Sequence, residues 1–304
     1  TPIPPATNKY RLQSSPLTFF SLDPGSSGFA TLELGNATEI GALDIVDVGD
    51  TDLSNLPFSI IDHDLIVEAN FPGHDLQGFG VTRVKGRAEF DGSNLDSFAG
   101  LDNLVEVDDE LSFRSPLAAT NIDGFPSLTT IGSLVIESDD IARVTLPALT
   151  TVLGSSSGGV SIDDDFDNAL VSFSFPSLTS LTGGINIASS AFTMLDLGPL
   201  TDIDGDIFID HSALTNVDAF CNIQNVNNVQ LRDNTALTNL GGFANLSITG
   251  ELDVTSAFDP VGQPNVPTCQ IKQLLTKSGA TAELPCGEPP ASRQTECAIG
   301  GWLQ

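Results

Sequence analysis

The sequence predicts an all-β chain, a right-handed parallel β-helix of about ten coils. Three observations carry that expectation. Related segments recur about every 23 residues, each holds one short alternating apolar stretch, and the links between them are rich in proline and β-branched residues.

The recurrence is read first, because it decides the architecture. Ala213-Leu-Thr-Asn-Val-Asp-Ala-Phe220 returns as Ala236-Leu-Thr-Asn-Leu-Gly-Gly-Phe243. Phe125-Pro-Ser-Leu-Thr-Thr-Ile131 returns as Leu146-Pro-Ala-Leu-Thr-Thr-Val152 and as Phe175-Pro-Ser-Leu-Thr-Ser-Leu181. The apolar anchors of the units are Ala37, Phe58, Val81, Leu104, Leu128, Leu149, Leu178, Leu200, Ile223 and Leu246. Three residues beyond each anchor stands a second apolar residue, from Ile40 to Val226, and only Thr249 breaks the series.

An alternating stretch follows, with the inward pairs Leu43/Ile45, Leu65/Val67, Ala88/Phe90, Leu111/Phe113, Leu134/Ile136, Val160/Ile162, Ile185/Ile187, Ile207/Ile209, Val229/Leu231 and Leu252/Val254. Alternation over so few residues marks a strand with one buried face. One strand per unit cannot make hairpins, so the strands must stack in parallel, one per coil. The stack should be about 48 Å long at the usual strand spacing.

Helical leucine-rich repeats share the period. Against them, Pro147, Pro176 and Pro199 stand just before the anchor and Thr-Thr or Thr-Ser often follows it, which disfavours a helix. Leu101, Phe125, Leu146, Phe175, Leu197, Phe220 and Phe243 form an interior ladder on a second side of each coil. The long step from Leu149 to Leu178 contains Gly154-Ser-Ser-Ser-Gly-Gly159 and the run Asp163 to Asp167, which should bulge outward. Residues 1–30, with Tyr10, Leu12, Leu17, Phe19 and Phe20, are expected to cap one end; residues 31–256 carry the repeats, and residues 257–304 cap the other end.

Composition limits function. Forty Asp and Glu face 11 Lys and Arg, giving a formal net charge of −29 and a pI near 4.1. Nucleic acid is thereby excluded as a partner. With 40% hydrophobic residues the chain has enough apolar surface for a core, and no apolar run is long enough to span a membrane. Thr1 to Asn8 lacks the basic-then-apolar pattern of a secretory signal and reads as a mature terminus. Cys221, Cys269, Cys286 and Cys297 all fall in the last third, and an even number suggests two disulfides in an oxidising compartment. Asn36-Ala-Thr and Asn245-Leu-Ser are glycosylation sequons.

The outward positions suggest sites. The central outward column runs Asp44, Ile66, Glu89, Ser112, Val135, Ser161, Asn186, Phe208, Gln230 and Asp253. Ile66, Val135 and Phe208 are candidate partner contacts on it. No flat threonine array is present there for ice binding, although Thr129, Thr130, Thr150, Thr151 and Thr179 lie on the return face. Arg83, Lys85 and Arg87 could form an anion site; the strand register instead sets Arg87 between Asp64 and Glu110, and Arg114 between Asp91 and Glu137, as ion pairs. Asp163 and Asp165, or Asp202, Asp204 and Asp206, could supply the several oxygens that calcium takes, although their spacing departs from the EF-hand loop. Calcium is the one cofactor the sequence suggests, and none is required.

Phe125-Pro-Ser-Leu-Thr-Thr-Ile-Gly-Ser-Leu-Val-Ile136, followed by a polar turn and Leu146-Pro-Ala-Leu149, resembles the receptor L-domain repeat. That repeat builds the β-helical module of insulin and epidermal growth factor receptor ectodomains, and occurs in fungal cell-wall proteins and bacterial surface proteins. The resemblance covers about residues 30–256. The tail, from Gly250 through Cys269-Gln-Ile-Lys-Gln-Leu-Leu275, is similar to the closing segment of such domains, with a short helix and cysteines. The resemblance implies an extracellular or wall-associated binding module and transfers no catalytic motif.

Together these readings point to a secreted or surface-displayed protein that is not an enzyme and serves recognition, adhesion or envelope architecture toward a protein or glycan. It is expected to be a monomer, with end-to-end assembly as the alternative. Two other functions fit a β-helix less well here. A polysaccharide-acting enzyme would place paired carboxylates and sugar-stacking aromatics in a groove, but Tyr10 and Trp302 are the only Tyr and Trp. An ice-binding or self-assembling solenoid would need regular outward ladders.

Overall fold

The computed structural model describes residues 10–11, 20–22, 32–33, 39–46, 56, 58–68, 76, 78–91, 95–114, 118–138, 140–154, 158–162, 169–189, 191–254, 266, 270 and 274. Every strand pairing among them is parallel, and the chain winds as a β-solenoid.

The main facet follows from the alternating stretches. Its inward column stacks Leu43, Leu65, Ala88, Leu111, Leu134, Val160, Ile185, Ile207, Val229 and Leu252 in direct register. From Leu43 onward this is the register expected from the sequence. Phe20–Leu22, within the segment expected to cap the stack, pairs with Leu43 to Ile45 as a further rung. The long step after Leu149 leaves the facet intact, because Val160–Ile162 pairs with Leu134 to Ile136 on one side and Ile185 to Ile187 on the other.

A second facet precedes the main one in each coil. It aligns Glu39–Ile40, Ile60–Ile61 and Arg83–Val84, and further along Thr151–Val152 and Ser180–Thr182. Glu106–Arg114 and Thr130–Glu137 are long enough to run through both facets, with an irregular register between Val107 and Glu110. Corners elsewhere need residues without side chains. Gly184 has φ 86°, and a Cβ there would strike the backbone of Asp206 on the next coil.

A third facet, not anticipated from the sequence, aligns Asn121–Ile122, Arg143–Thr145, Ser172–Ser174 and Met194–Asp196. Each of these strands turns one apolar residue to the core: Ile122, Val144, Phe173 and the partly buried Leu195.

One continuous core runs along the axis. The described anchors from Phe58 to Leu246 are buried, as is the ladder from Leu101 to Phe243. Phe90 and Phe113 stack with centroids 5.3 Å apart, while Phe98 meets Phe113 edge-on at 5.0 Å and Phe125 closes the group. Each such contact adds about 0.5–1.5 kcal/mol beyond area burial.

The break at Thr249 is resolved by a one-residue shift. Ile248, not Thr249, lies opposite Val226 and is buried, because the apolar side chain selects the register of the last coil. Beyond it, Val266, Gln270 and Leu274 are buried, the last two in helical conformation. Gln270 Oε1 accepts from the Leu240 nitrogen at 2.8 Å and its Nε2 donates to Asn239 Oδ1 at 3.2 Å, so the tail is fastened to the coil wall.

Candidate functional site

Outward residues of neighbouring coils stand about 5 Å apart, so polar side chains meet along the axis. The cations illustrate this. Arg83 forks onto Asp108, with Nε to Oδ1 at 3.0 Å and Nη2 to Oδ2 at 2.7 Å, and also reaches Glu106 at 3.2 Å. Lys85 meets Asp62 at 2.5 Å and Arg232 meets Asp253 at 2.8 Å. The bond to Asp108 raises the Arg83 pKa, and that to Asp62 raises the Lys85 pKa. Arg83 and Lys85 are therefore held by carboxylates, and Arg87 by Glu89, which removes the basis for an anion site at these three residues.

Arg87 pairs differently from expectation, and Arg114 makes the expected contact with Glu137 but adds others. Arg87 reaches Glu89 at 2.9 Å, and only its backbone nitrogen bonds Asp64. Arg114 meets Glu110 at 3.1 Å, Glu137 at 3.6 Å and Glu89 at 3.9 Å, with no bond to Asp91 among these. Burial works against its charge, but Glu137, Glu89 and Glu110 outweigh that and raise its pKa. The long guanidinium stem reaches the next column as easily as the next rung, which strand register alone does not show.

The Arg114–Glu110 pair spans Ser112, the residue between them on the outer side. Ser112 is 0% exposed and its strand neighbour Val135 only 6%. Val135 thus offers no partner surface, while Ile66 and Phe208 are half-buried. Among the described residues the large apolar side chains that face solvent are Val105, Leu153, Val171 and Met194, the last 53% exposed. Val171 and Met194 stand on adjacent coils, the Met194 nitrogen donating to the Val171 carbonyl at 3.2 Å, and no clustering in the sequence marks the four.

The return-face threonines find partners on the neighbouring coil. Thr129, Thr150 and Thr179 donate their hydroxyls to the carbonyls of Val105, Thr129 and Thr150, at 3.1–3.2 Å. These hydroxyl protons clamp coil to coil and are not presented to water.

The expected calcium ligands separate. Asp163 and Asp165 lie outside the described residues. Asp202 accepts from Asn225 Nδ2 at 2.6 Å and the Thr201 hydroxyl at 2.9 Å, and both bonds lower its pKa. Asp206 accepts from the Asn228 backbone at 3.0 Å and side chain at 2.8 Å, while Asp204 is exposed. Asp202 and Asp206 are thus tied to the next coil rather than converging with Asp204. Among the described residues one group gathers three candidate ligands with atoms within 4.8 Å of one another, namely Asp210, His211 and Asp233. His211 and Asp233 each stand two residues beyond the second inward residue of a coil, Ile209 and Leu231, which are paired. That register could have revealed them, but they are 22 positions apart and His211 reads from sequence as a surface residue.

Beside Asp202 runs a groove of about 780 Å³ lined by Pro199, Thr201, Cys221, Asn222, Gln224, Asn225 and Asn245. Four of these seven are side-chain amides, which both donate and accept hydrogen bonds. Asn245, one of the two sequon asparagines, is exposed here; Asn36 is outside the described residues. Cys221 is a free thiol, half-buried after the 3₁₀ turn Asp218–Phe220, so it does not join the expected disulfides. Its backbone is fixed by the nitrogen's bond to the Asp218 carbonyl. Cys269, Cys286 and Cys297 lie outside the described residues.

No protein-family model, curated protein or solved structure matches the chain. The resemblance to the receptor L-domain repeat rests on the repeat residues themselves. No helix among the described residues is long and apolar enough to cross a membrane.

Proposed function

We propose that the chain is an extracellular or envelope-associated recognition module of receptor L-domain type, which binds a protein or glycan partner and performs no catalysis. The observation that carries this reading is the amide-lined groove across neighbouring coils. Asn222, Gln224, Asn225 and Asn245 present paired donors and acceptors suited to sugar hydroxyls or a peptide backbone. The solenoid supplies a rigid support, since its coils are joined by continuous ladders and by side-chain bonds. Cations paired within the wall leave an acid-dominated exterior, which favours a neutral or basic partner.

A glycan and protein array, probed with and without calcium, tests this reading. Capture that is lost in an Asn222→Ala/Gln224→Ala double variant supports it. Release of cleaved product from array glycans would replace it with the alternative of a polysaccharide-acting enzyme, and capture unchanged in the double variant would move the contact elsewhere.

A further inference from the structure

We propose that Asn245 is a site of N-linked glycosylation and that its first sugars occupy the amide-lined groove, so that the glycosylated chain presents a closed groove and the bare chain an open one. The regulatory half of this proposal rests on the reading of that groove as the partner site.

The acceptor motif is Asn245-Leu246-Ser247. Its middle residue, Leu246, is 1% exposed and belongs to the core, whereas Asn245 and Ser247 on either side of it are exposed. That alternation turns the acceptor amide and the hydroxyl outward together, as a bulky surface modification requires. The backbone there is fixed, because Leu246 N donates to the Phe243 carbonyl at 3.1 Å and Ser247 N to the Gln224 carbonyl at 2.8 Å. Among the described residues no side chain bonds the Asn245 amide or the Ser247 hydroxyl. By contrast, the amides of Asn225, Asn228, Asn234 and Asn239 are all engaged. On attachment, Asn245 Nδ2 forms a bond to the anomeric carbon of N-acetylglucosamine in a lipid-linked oligosaccharide diphosphate. The bond from that carbon to the diphosphate oxygen breaks, the diphosphate leaves with the electron pair, and the amide nitrogen gives up one proton.

The groove is suited to those sugars. Asn245 is part of its lining, and its volume of about 780 Å³ falls within the range of about 300–1,000 Å³ that takes a small ligand. The described lining carries no charged side chain, although the chain as a whole carries −29. Asp202 beside it is turned to Asn225 and Thr201. A neutral sugar therefore enters without desolvating an ion. Asn222 and Gln224 are exposed and offer donors and acceptors to sugar hydroxyls and to the acetamido group. The covalent link holds the sugar beside them at high effective concentration, so individually weak hydrogen bonds suffice to seat it.

A filled groove excludes an external partner by competition. A free ligand must displace a sugar whose local concentration is set by its attachment, so occupancy of Asn245 acts as an off state. Cys221, another lining residue, is half-buried in the same wall and is covered when the groove fills. Its thiol reports the state of the groove independently of any partner.

The test secretes the full chain from a eukaryotic cell behind a cleavable signal peptide, as the parent and as Ser247→Ala, which removes the sequon and keeps every groove-lining side chain. Glycopeptide mass spectrometry should find Asn245 occupied in the parent and bare in Ser247→Ala. Alkylation of Cys221 by N-ethylmaleimide, followed by peptide mass spectrometry, should be several-fold slower in the parent. Ser247→Thr should restore both the glycan and the slow rate. A bare Asn245 in the secreted parent would overturn the site, and equal alkylation rates in the parent and Ser247→Ala would overturn occupation of the groove. Failure of the partner reading looks different: Ser247→Ala would then be alkylated readily at Cys221 and still capture nothing from a glycan and protein array, which overturns the regulatory half alone.

Discussion

Asn234 and Ser212 lock adjacent coils at three points. Asn234 Oδ1 accepts from the Ser212 backbone nitrogen at 2.8 Å and from its hydroxyl at 2.7 Å, while Asn234 Nδ2 donates to the Ile209 carbonyl at 2.9 Å. Both residues are buried, Asn234 to 1% exposure, so water cannot replace these bonds. Asn234→Ala should therefore cost about 3 kcal/mol, since it strands several buried polar groups at once. Urea denaturation measures it, and a loss below about 1 kcal/mol would mean the turn relaxes to new partners.

The phenylalanine group should be the most sensitive part of the core. Phe113 contacts Phe90, Phe98 and Phe125, with centroids 5.0–6.0 Å away. Phe113→Ala should destabilise by about 3–5 kcal/mol and Phe113→Leu by less. Thermal and chemical denaturation of the two variants should preserve that order.

Asp202 should titrate below the ordinary value of 3.8, because Asn225 and Thr201 bond its ionised form. A depressed folded-state pKa adds stability that is present above the unfolded value and is lost as pH falls through the folded one. The contribution should therefore disappear only below about pH 3.8. In Asn225→Ala the Asp202 carboxyl resonance should titrate at higher pH than in the parent, as ¹³C NMR would show. An unchanged midpoint would assign the shift to another group.

Salt should stabilise this protein. Self-repulsion at −29 is long-ranged and screened by ions, whereas the half-exposed pairs of Arg83 and Lys85 contribute little to lose. Tm should rise as sodium chloride increases from low to moderate concentration. A falling Tm would show that the inter-coil ion pairs outweigh repulsion.

The main facet could be read from the chain because each strand contributes two inward residues at fixed offset from an anchor, as with Ile207/Ile209 and Val229/Leu231. The third facet was harder to see. Ile122, Val144, Phe173 and Leu195 do recur with the coil spacing, but one inward residue per strand resembles a turn. Register places Val135 in its column, yet its 6% exposure is set by side-chain packing that register does not contain. Asp202 and Asp206 were recognised as acidic, but their direction toward Asn225 and Asn228 follows from side-chain rotamers on two coils. Asp210, His211 and Asp233 escaped because 22 residues of sequence separate groups that parallel stacking brings together.

What the sequence determined by itself is periodic: which residues face the core, the parallel stacking of the coils, and the excess of acid. Those properties depend on alternation and repeat length, which are local and repeated many times along the chain. The tertiary structure decided which polar groups meet. Neighbouring coils approach to about 5 Å, so that hydrogen bonds and ion pairs form between residues distant in the chain. Whether an outward carboxylate meets arginine, asparagine or histidine there depends on side-chain reach and on turn conformation, which the repeat does not encode.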